Sequence, residues 1–324
     1  MLLDSLLKED EIEREKGVII EEINLYEDTP ARKIGDLIEN LLYGEYPLGW
    51  DIAGKAANIR AIQRQDFIDY MAAYYRPNNC VVAVAGGITQ KNGSSENLVR
   101  GIAEKSLGSW KKRPIKQSSD ASDKQDKPQL LVHFKDTNQA HLALAVRSYP
   151  VGHPKRYALS LLSSILGGGM SSRLFIEIRE RRGLAYYVRS GADQYRDVGH
   201  FTTVAGVDMA RIDDAIKVIL EEYEKVKSKS APITDEELSK SKEYIKGRLT
   251  LELEDSQAVA GLYAGQEIIE EKIRTPQEIM RHIDAVTKEE IYAVAEDIFK
   301  QNKLNLAVIG PYKDSARFEK LLKL

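Results

Sequence analysis

Apolar residues return at helical spacing through residues 9–28 (EDEIEREKGVIIEEINLYED). Ile12, Val18, Ile19, Ile23 and Tyr26 are separated by charged positions, which predicts an amphipathic helix with Gly17 as its one weak point. The helical pattern continues over 31–43 and stops at Tyr43-Gly44, before a Pro/Gly-rich loop at Tyr46-Pro47-Leu48-Gly49. A further helix is predicted at 65–75. Pro77-Asn78-Asn79 breaks it, and the run CVVAVA from Cys80 to Ala85 reads as a buried strand closed by Gly86-Gly87.

Residues 111–128 (KKRPIKQSSDASDKQDKP) hold no large apolar side chain except Ile115 and read as an interdomain linker. Beyond them, 129–135 and 139–147 are strand-like, 154–166 is an apolar helix stopped by Gly167-Gly168-Gly169, and 171–182 is a strongly charged helix. Strands at 185–192 and 200–207 precede a long helix at 210–227. Thr234 followed by Glu237 is a capping-box signature for a helix over 234–254. Helices at 256–270 and 287–300 lead to a final strand at 304–309.

The two halves repeat each other. IQRQDFIDYMAAYYRPNNCVVAVAGG (62–87) aligns without gaps on VTKEEIYAVAEDIFKQNKLNLAVIGP (286–311), so that Phe67 falls on Ile291, Tyr74 on Ile298 and Asn78 on Asn302. The helix at 9–28 has a counterpart in 235–254, with Leu25 on Leu251. Such a period means two whole domains rather than short solenoid units. The second copy begins near Gln129, so the shift puts the start of the first about 95 residues before Met1, and the first copy is expected to be incomplete.

Composition narrows the function classes. A chain of 324 residues exceeds what one core commonly holds, and 43% hydrophobic with 30% charged residues is a soluble globular profile. A net charge of −3 argues against a nucleic-acid surface. No apolar run reaches the ~18–20 residues of a membrane helix. Met1-Leu2-Leu3-Asp4 lacks the basic and apolar regions of a signal peptide. Cys80 is the one cysteine, which excludes an internal disulfide and any Cys-rich metal site and fits a reducing compartment or simple avoidance of cysteine; a cytoplasmic location is expected.

Several stretches, taken in order, resemble the insulinase, pitrilysin and mitochondrial processing peptidase family of zinc endopeptidases. They are EREKGVIIEEINLYEDTP (13–30), YPLGWDIAG (46–54), YRPNNCVVAVAGGI (75–88), KDTNQAHLALAV (135–146) and LLGGGMSSRLFIEIRERRGLAYYV (165–188). That family carries an inverted zinc motif, H-x-x-E-H, whose two His bind zinc while the Glu acts as general base. A later Glu completes the ligands, leaving one position open for water. The resemblance places that third ligand on Glu22 and a supporting acid on Glu15. Seven residues are about two helical turns, so the two share a face. Their repeat counterparts, Arg248 and Ser241, are not carboxylates.

No H-x-x-E-H occurs in the chain. His133, His141, His153, His200 and His282 show no i,i+4 pair and read as structural or surface residues. His133 and His141, placed on one continuous strand, would be about 26 Å apart. A lone carboxylate holds zinc poorly, so the chain by itself is expected to bind zinc weakly and to hydrolyse no peptide. The resemblance further implies that Arg179 and Tyr186, in RERRGLAY, hold the substrate backbone and developing oxyanion; a guanidinium and a phenol are apt donors for that. Gly167-Gly168-Gly169 lacks the Gly-Lys-Ser/Thr ending of a phosphate loop and reads as a helix stop, which in the family lies near the substrate chamber.

The expected fold is therefore α+β. It comprises two homologous domains, each a mixed sheet covered by helices on one face, in the processing-peptidase-like (LuxS-metallohydrolase-like) architecture. Residues 1–110 form the first, incomplete copy, 111–128 the linker, and 129–324 the second, non-catalytic copy. The expected activity is that of a zinc (Zn2+) metalloendopeptidase acting on peptides or unfolded segments, lacking here the zinc His pair and general base. The alternative is a natural non-catalytic subunit that binds peptide or a catalytic partner. A homodimer or a heterodimer with a family member is expected.

Overall fold

Five strands assemble into one mixed sheet in the computed structural model, which describes residues 2–88, 95–115, 121 and 124–324. Residues 116–120, 122 and 123 of the expected linker lie outside the described residues. The strands are β1 (Gln129–Phe134), β2 (Ala140–Ser148), β3 (Ala185–Gln194), β4 (Gly199–Val207) and β5 (Leu304–Gly310). Their order is β1-β5-β2-β4-β3, with β1 parallel to β5 and the other pairs antiparallel. The helices are α1 (Glu9–Glu27), α2 (Pro30–Tyr43), α3 (Ala56–Ala61), α4 (Arg64–Tyr74), α5 (Ser95–Leu107), α6 (Arg156–Gly167), α7 (Ile212–Lys227), α8 (Asp235–Glu252), α9 (Ser256–Gly265), α10 (Pro276–Ala285), α11 (Lys288–Ile298) and the short α12 (Ala316–Glu319). None of the described helices is long and apolar enough to cross a membrane.

The residues cluster into two compact units that do not follow chain order. The first holds Met1–Glu22, Lys55–Ser119 and Arg248–Pro276; the second holds Ile23–Gly54, Asp120–Gly247 and Gln277–Leu324. Packing thus groups residues differently from descent, and we retain 1–110 and 129–324 as proposed limits of the repeated copies.

In the second unit, alternation along the strands builds two cores. Leu142, Leu144 and Val146 of β2 join Leu304, Leu306 and Val308 of β5 in a large core with side chains of α6, α7 and α11. The intervening Ala143, Ala145, Ala307 and Ile309 face the other way and pack with Ile34, Ile38 and Leu42 of α2. Helices therefore cover both faces of this sheet, not one as expected. The alanines leave room for a helix, and the i, i+4, i+8 stripe of α2 fills it. At the heart of the larger core, Phe201, Tyr223 and Phe299 form an aromatic cage. Tyr223 and Phe299 stack at 4.2 Å, and Phe201 meets both edge-on.

The first unit is helical. Lys16 on α1 reaches the Glu13 carboxylate at 2.6 Å and the carbonyl of Arg60 at 3.4 Å, and the Arg64 Nε donates to the carbonyl of Leu7 at 2.8 Å. None of the apolar side chains described in this unit is buried. The strand expected at 80–85 does not form there: Cys80 is exposed, as are Val82 and Val84. A strand needs a neighbour for its N–H and C=O groups, and no strand among the described residues offers one.

Elsewhere the predicted elements stand with four additions, α3, α5, α10 and α12, and two changes. The helix read at 171–182 is wound as a π-helix from Phe175 to Arg181, and the one read at 256–270 turns into a π-helix from Gln266 to Glu270, a form that recurs at functional sites.

Candidate functional site

Glu15 and Glu22 both project from α1, in the first unit, and both are exposed with no ion pair or hydrogen bond among the described residues. The rise of a helix separates them by ~10 Å along its axis, so they cannot grip one ion together. No three His, Cys, Asp or Glu side chains among the described residues converge to hold a metal.

Each of the five histidines is structural or on the surface. His141 hydrogen-bonds the Tyr187 hydroxyl at 3.0 Å. His153 stacks on Tyr149 at 4.1 Å and His282 on Tyr157 at 5.0 Å. His200, almost wholly buried, is 2.9 Å from the Tyr43 hydroxyl through Nδ1 and 3.4 Å from Asp193 through Nε2. His133 lies on edge strand β1. The distance reasoned for His133 and His141 needs correction. They sit on two strands, both in register with Ile309 of the strand between, so the sheet spacing brings them to ~10 Å. That is still too far to share a metal directly.

Arg179 and Tyr186 belong to the second unit. Arg179 lies over the Phe175 ring at 5.1 Å and is otherwise exposed. Tyr186 is 68% exposed at the start of β3 and has no hydrogen-bond partner among the described residues.

The π-helix that carries Arg179 is anchored at its start. Arg173 donates to both oxygens of Glu237, at 2.7 and 2.9 Å, and to the carbonyls of Ala231 and Pro232. Glu237 also accepts from the Thr234 amide at 2.9 Å, and the Thr234 hydroxyl accepts from the Glu237 amide at 3.0 Å. The capping box was legible; the arginine that shares its carboxylate was not, because nothing in the spacing links 173 to 237. Burial pushes the Glu237 carboxyl up, but its bonds from Arg173 and Thr234 outweigh that and hold it below its usual range.

The three glycines divide by role. A Cβ at Gly167 would lie 2.3 Å from the Ser190 backbone nitrogen, and one at Gly168 would lie 2.7 Å from Ser164 Cα, whereas Gly169 has no neighbour nearer than the Tyr244 ring at 3.9 Å. The first two are glycine because backbone passes against them.

Between α2 and β3–β4 a cavity of about 340 Å³ opens, lined among others by Asp36, Glu39, Arg189, Asp193, His200 and Thr202. Sequence reading missed these residues because they come from strands and a helix that only the fold unites. The hydrogen bond from His200 outweighs a partial loss of solvation and holds the exposed Asp193 carboxyl below its ordinary range. Asp36 goes the other way: burial first, then the charges of Asp51, Glu39 and Glu27, outweigh the pull of Lys33 and raise it. An acid raised in the folded state destabilises it while ionised, and the penalty ends once pH falls below the unfolded value. Asp36→Asn should therefore raise Tm near neutral pH. The gain should shrink as pH drops through the raised value and vanish below ~4. Thermal melts from pH 8 to 3.5 check this; a gain that stays constant would refute the burial cost.

Comparisons with known proteins agree with this architecture. A family model described as the peptidase M16 inactive domain matches residues 61–245. An uncharacterized zinc protease of Bacillus subtilis, YmxG, is 33% identical over 315 residues, spanning 96% of this chain and 73% of that protein. A protease from Helicobacter pylori superposes with a TM-score of 0.82 at 25% identity, covering 94% of this chain and 72% of that one. A peptidase M16 inactive domain from Pseudomonas fluorescens shares the fold, with a TM-score of 0.79 at 20% identity over 96% of this chain and 73% of that one.

Proposed function

We propose, on the premise that the chain belongs to the peptidase M16 family through its inactive domain, that it is the peptide-holding, non-catalytic portion of a zinc endopeptidase. The observation that carries this reading is the pairing of exposed donors with an absent ligand set. Arg179 and Tyr186 offer unpaired N–H and O–H groups beside an edge strand, while the His and general-base Glu of the family motif do not occur in the sequence.

The donors present do not make a zinc site. A catalytic zinc takes three protein ligands and a water, and Glu22 with its free carboxylate supplies one at most. No hydrolytic step is assigned to these residues alone. A zinc to which Glu22 contributed would need its nitrogen ligands from outside this sequence. Glu15, two turns away, would support rather than bind. In such an assembly, with a partner that carries the zinc His pair, Arg179 and Tyr186 would donate to the carbonyls of a peptide or unfolded segment.

The isolated chain, loaded with zinc, should cleave no unstructured fluorogenic peptide above the rate of free zinc, yet should bind it. Arg179→Ala and Tyr186→Phe should each weaken that binding about 5–10-fold, the scale of one hydrogen bond, with Tm unchanged because both side chains are exposed. Fluorescence anisotropy reads the binding. Zinc-dependent cleavage lost in Glu22→Gln would overturn the non-catalytic reading; unchanged affinity in both variants would remove the assigned peptide contacts.

A further inference from the structure

A cavity of about 500 Å³ opens between the C-terminal end of α6, the loop Gly169–Ser172 and the first turns of α8. That lies within the ~300–1,000 Å³ of small-molecule sites. Its lining runs from Ser164 to Tyr244, wholly inside the second unit. It shares no residue with the Asp36–His200 cavity and includes neither Arg179 nor Tyr186.

The fold leaves hydroxyls in this cavity without partners. Ser172 is 5% exposed, and its Oγ, shielded from solvent, has no hydrogen-bond partner among the described residues. It immediately precedes the helical segment 173–181. A serine there ordinarily accepts from an amide one turn further on. Here it does not, and the amides of Arg173, Leu174 and Phe175 also lack acceptors among the described residues; the Ile176 amide is the first to find one, the Ser172 carbonyl at 3.1 Å. Ser241, 8% exposed, lines the same cavity and is likewise without a hydrogen-bond partner among the described residues. A buried hydroxyl left unbonded is a cost that a ligand oxygen removes.

The charges define that ligand further. Along α8, Glu236, Lys240 and Tyr244 recur at i, i+4 and i+8 and share a face toward the cavity. Lys240 makes no ion pair among the described residues. Two carboxylates also line the cavity. Glu237 is held on both oxygens by Arg173, which leaves it no charge to oppose an anion; Glu236 is exposed and unpaired. A helix N-terminus, a free ammonium and two orphan hydroxyls together suit an oxyanion. They outnumber the two oxygens of a carboxylate and match the three terminal oxygens of a phosphate ester. Glu236, an acceptor, suits hydroxyl groups elsewhere on the ligand, and Ile165, Met170 and the Tyr244 ring offer apolar surface to its carbon skeleton.

We infer that this cavity binds a small phosphomonoester of a polyol, a sugar phosphate by class. The phosphate lies against Ser172, Ser241 and Lys240, and the polyol hydroxyls against Glu236. The site is independent of the peptide contacts proposed above, so failure of either reading leaves the other standing.

Calorimetric titration of the full chain with glucose 6-phosphate, glycerol 3-phosphate, inorganic phosphate and glucose tests this. At least one of the two esters should bind 1:1, about tenfold or more tighter than inorganic phosphate or glucose. Lys240→Met should weaken that ester at least about tenfold, and Ser172→Ala about 5–10-fold, the scale of one hydrogen bond to a charged group. Glu236→Gln should narrow the preference for the ester over inorganic phosphate. None of the three variants should lower the Tm of the free chain, because Lys240 and Glu236 are exposed and the Ser172 hydroxyl has no partner to lose. Failure of both esters to bind would overturn the inference, as would glucose or inorganic phosphate binding as tightly as the esters, or ester affinity unchanged in Lys240→Met or Ser172→Ala. A lowered Tm in Ser172→Ala would also overturn it, by showing that the hydroxyl serves the fold.

Discussion

Phe299→Ala should cost about 3–5 kcal/mol, the range for removing a large aromatic from a closed core. Phe299 has no exposure, stacks on Tyr223 and meets Phe201 edge-on. The cage joins the end of α11 to the consecutive β4 and α7, far earlier in the chain, and all three rings are fully buried in packed core, so the cavity left by alanine has no flexible wall to collapse into. The Tyr223 hydroxyl donates to Thr203 at 2.6 Å, which itself lies 2.6 Å from the Ser190 hydroxyl. Burial drives the Tyr223 phenol far above its ordinary range, so it stays neutral. Tyr223→Phe should cost about 1 kcal/mol, because it removes one bond and keeps the ring. Urea unfolding of the three proteins checks the order; comparable losses in both variants would mean that the hydroxyl chain, not the rings, holds the cage.

Gly167→Ala should lose about 1–3 kcal/mol or more, the scale of overpacking against an immovable neighbour. The obstacle is the backbone nitrogen of Ser190, and β3 cannot retreat without loosening its pairing with β4. The damage should also be functional, because Tyr186 stands at the start of β3. Gly169→Ala is the internal control: its Cβ meets only ordinary contacts, so both midpoint and peptide affinity should stay near those of the parent. Equal losses at 167 and 169 would show that loop flexibility, rather than close approach, is what the glycines provide.

Much of this fold could be read from residue order because the strongest signals are local. The capping box at Thr234, the glycine stop after α6 and the alternating strands of the second half depend on neighbours within a few positions. Signals that depend on the other half of the chain were lost. CVVAVA has every local mark of a strand, yet a strand is a relation between segments. α3 and α12 are one or two turns with no side-chain cap, and α5 carries Gly101 in its middle, so none of them stands out against loop. α10 did carry a readable start, Pro276 at its first turn. For the site, Glu15, Glu22, Arg179 and Tyr186 came from resemblance; their exposure fits those roles without testing them. The Asp36–His200 cavity could not have been read at all, since its lining runs from Gly35 to Val204 and no motif marks it.

The order of the sheet has a consequence for how the protein is made. β5 is central, between β1 and β2, yet it is the last of the five strands to be synthesised: β1 is complete at Phe134, and β5 starts only at Leu304. Until it arrives, a nascent chain can form only the three-stranded β2–β4–β3 portion, with β1 unattached and the inner edge of β2 bare. Closing the sheet then requires a loop that takes in everything between β2 and β5, a high-contact-order step that is intrinsically slow and leaves sticky edges open in the meantime. Arrival of β5, rather than emergence of each earlier strand, should therefore be the moment at which this sheet becomes resistant to protease.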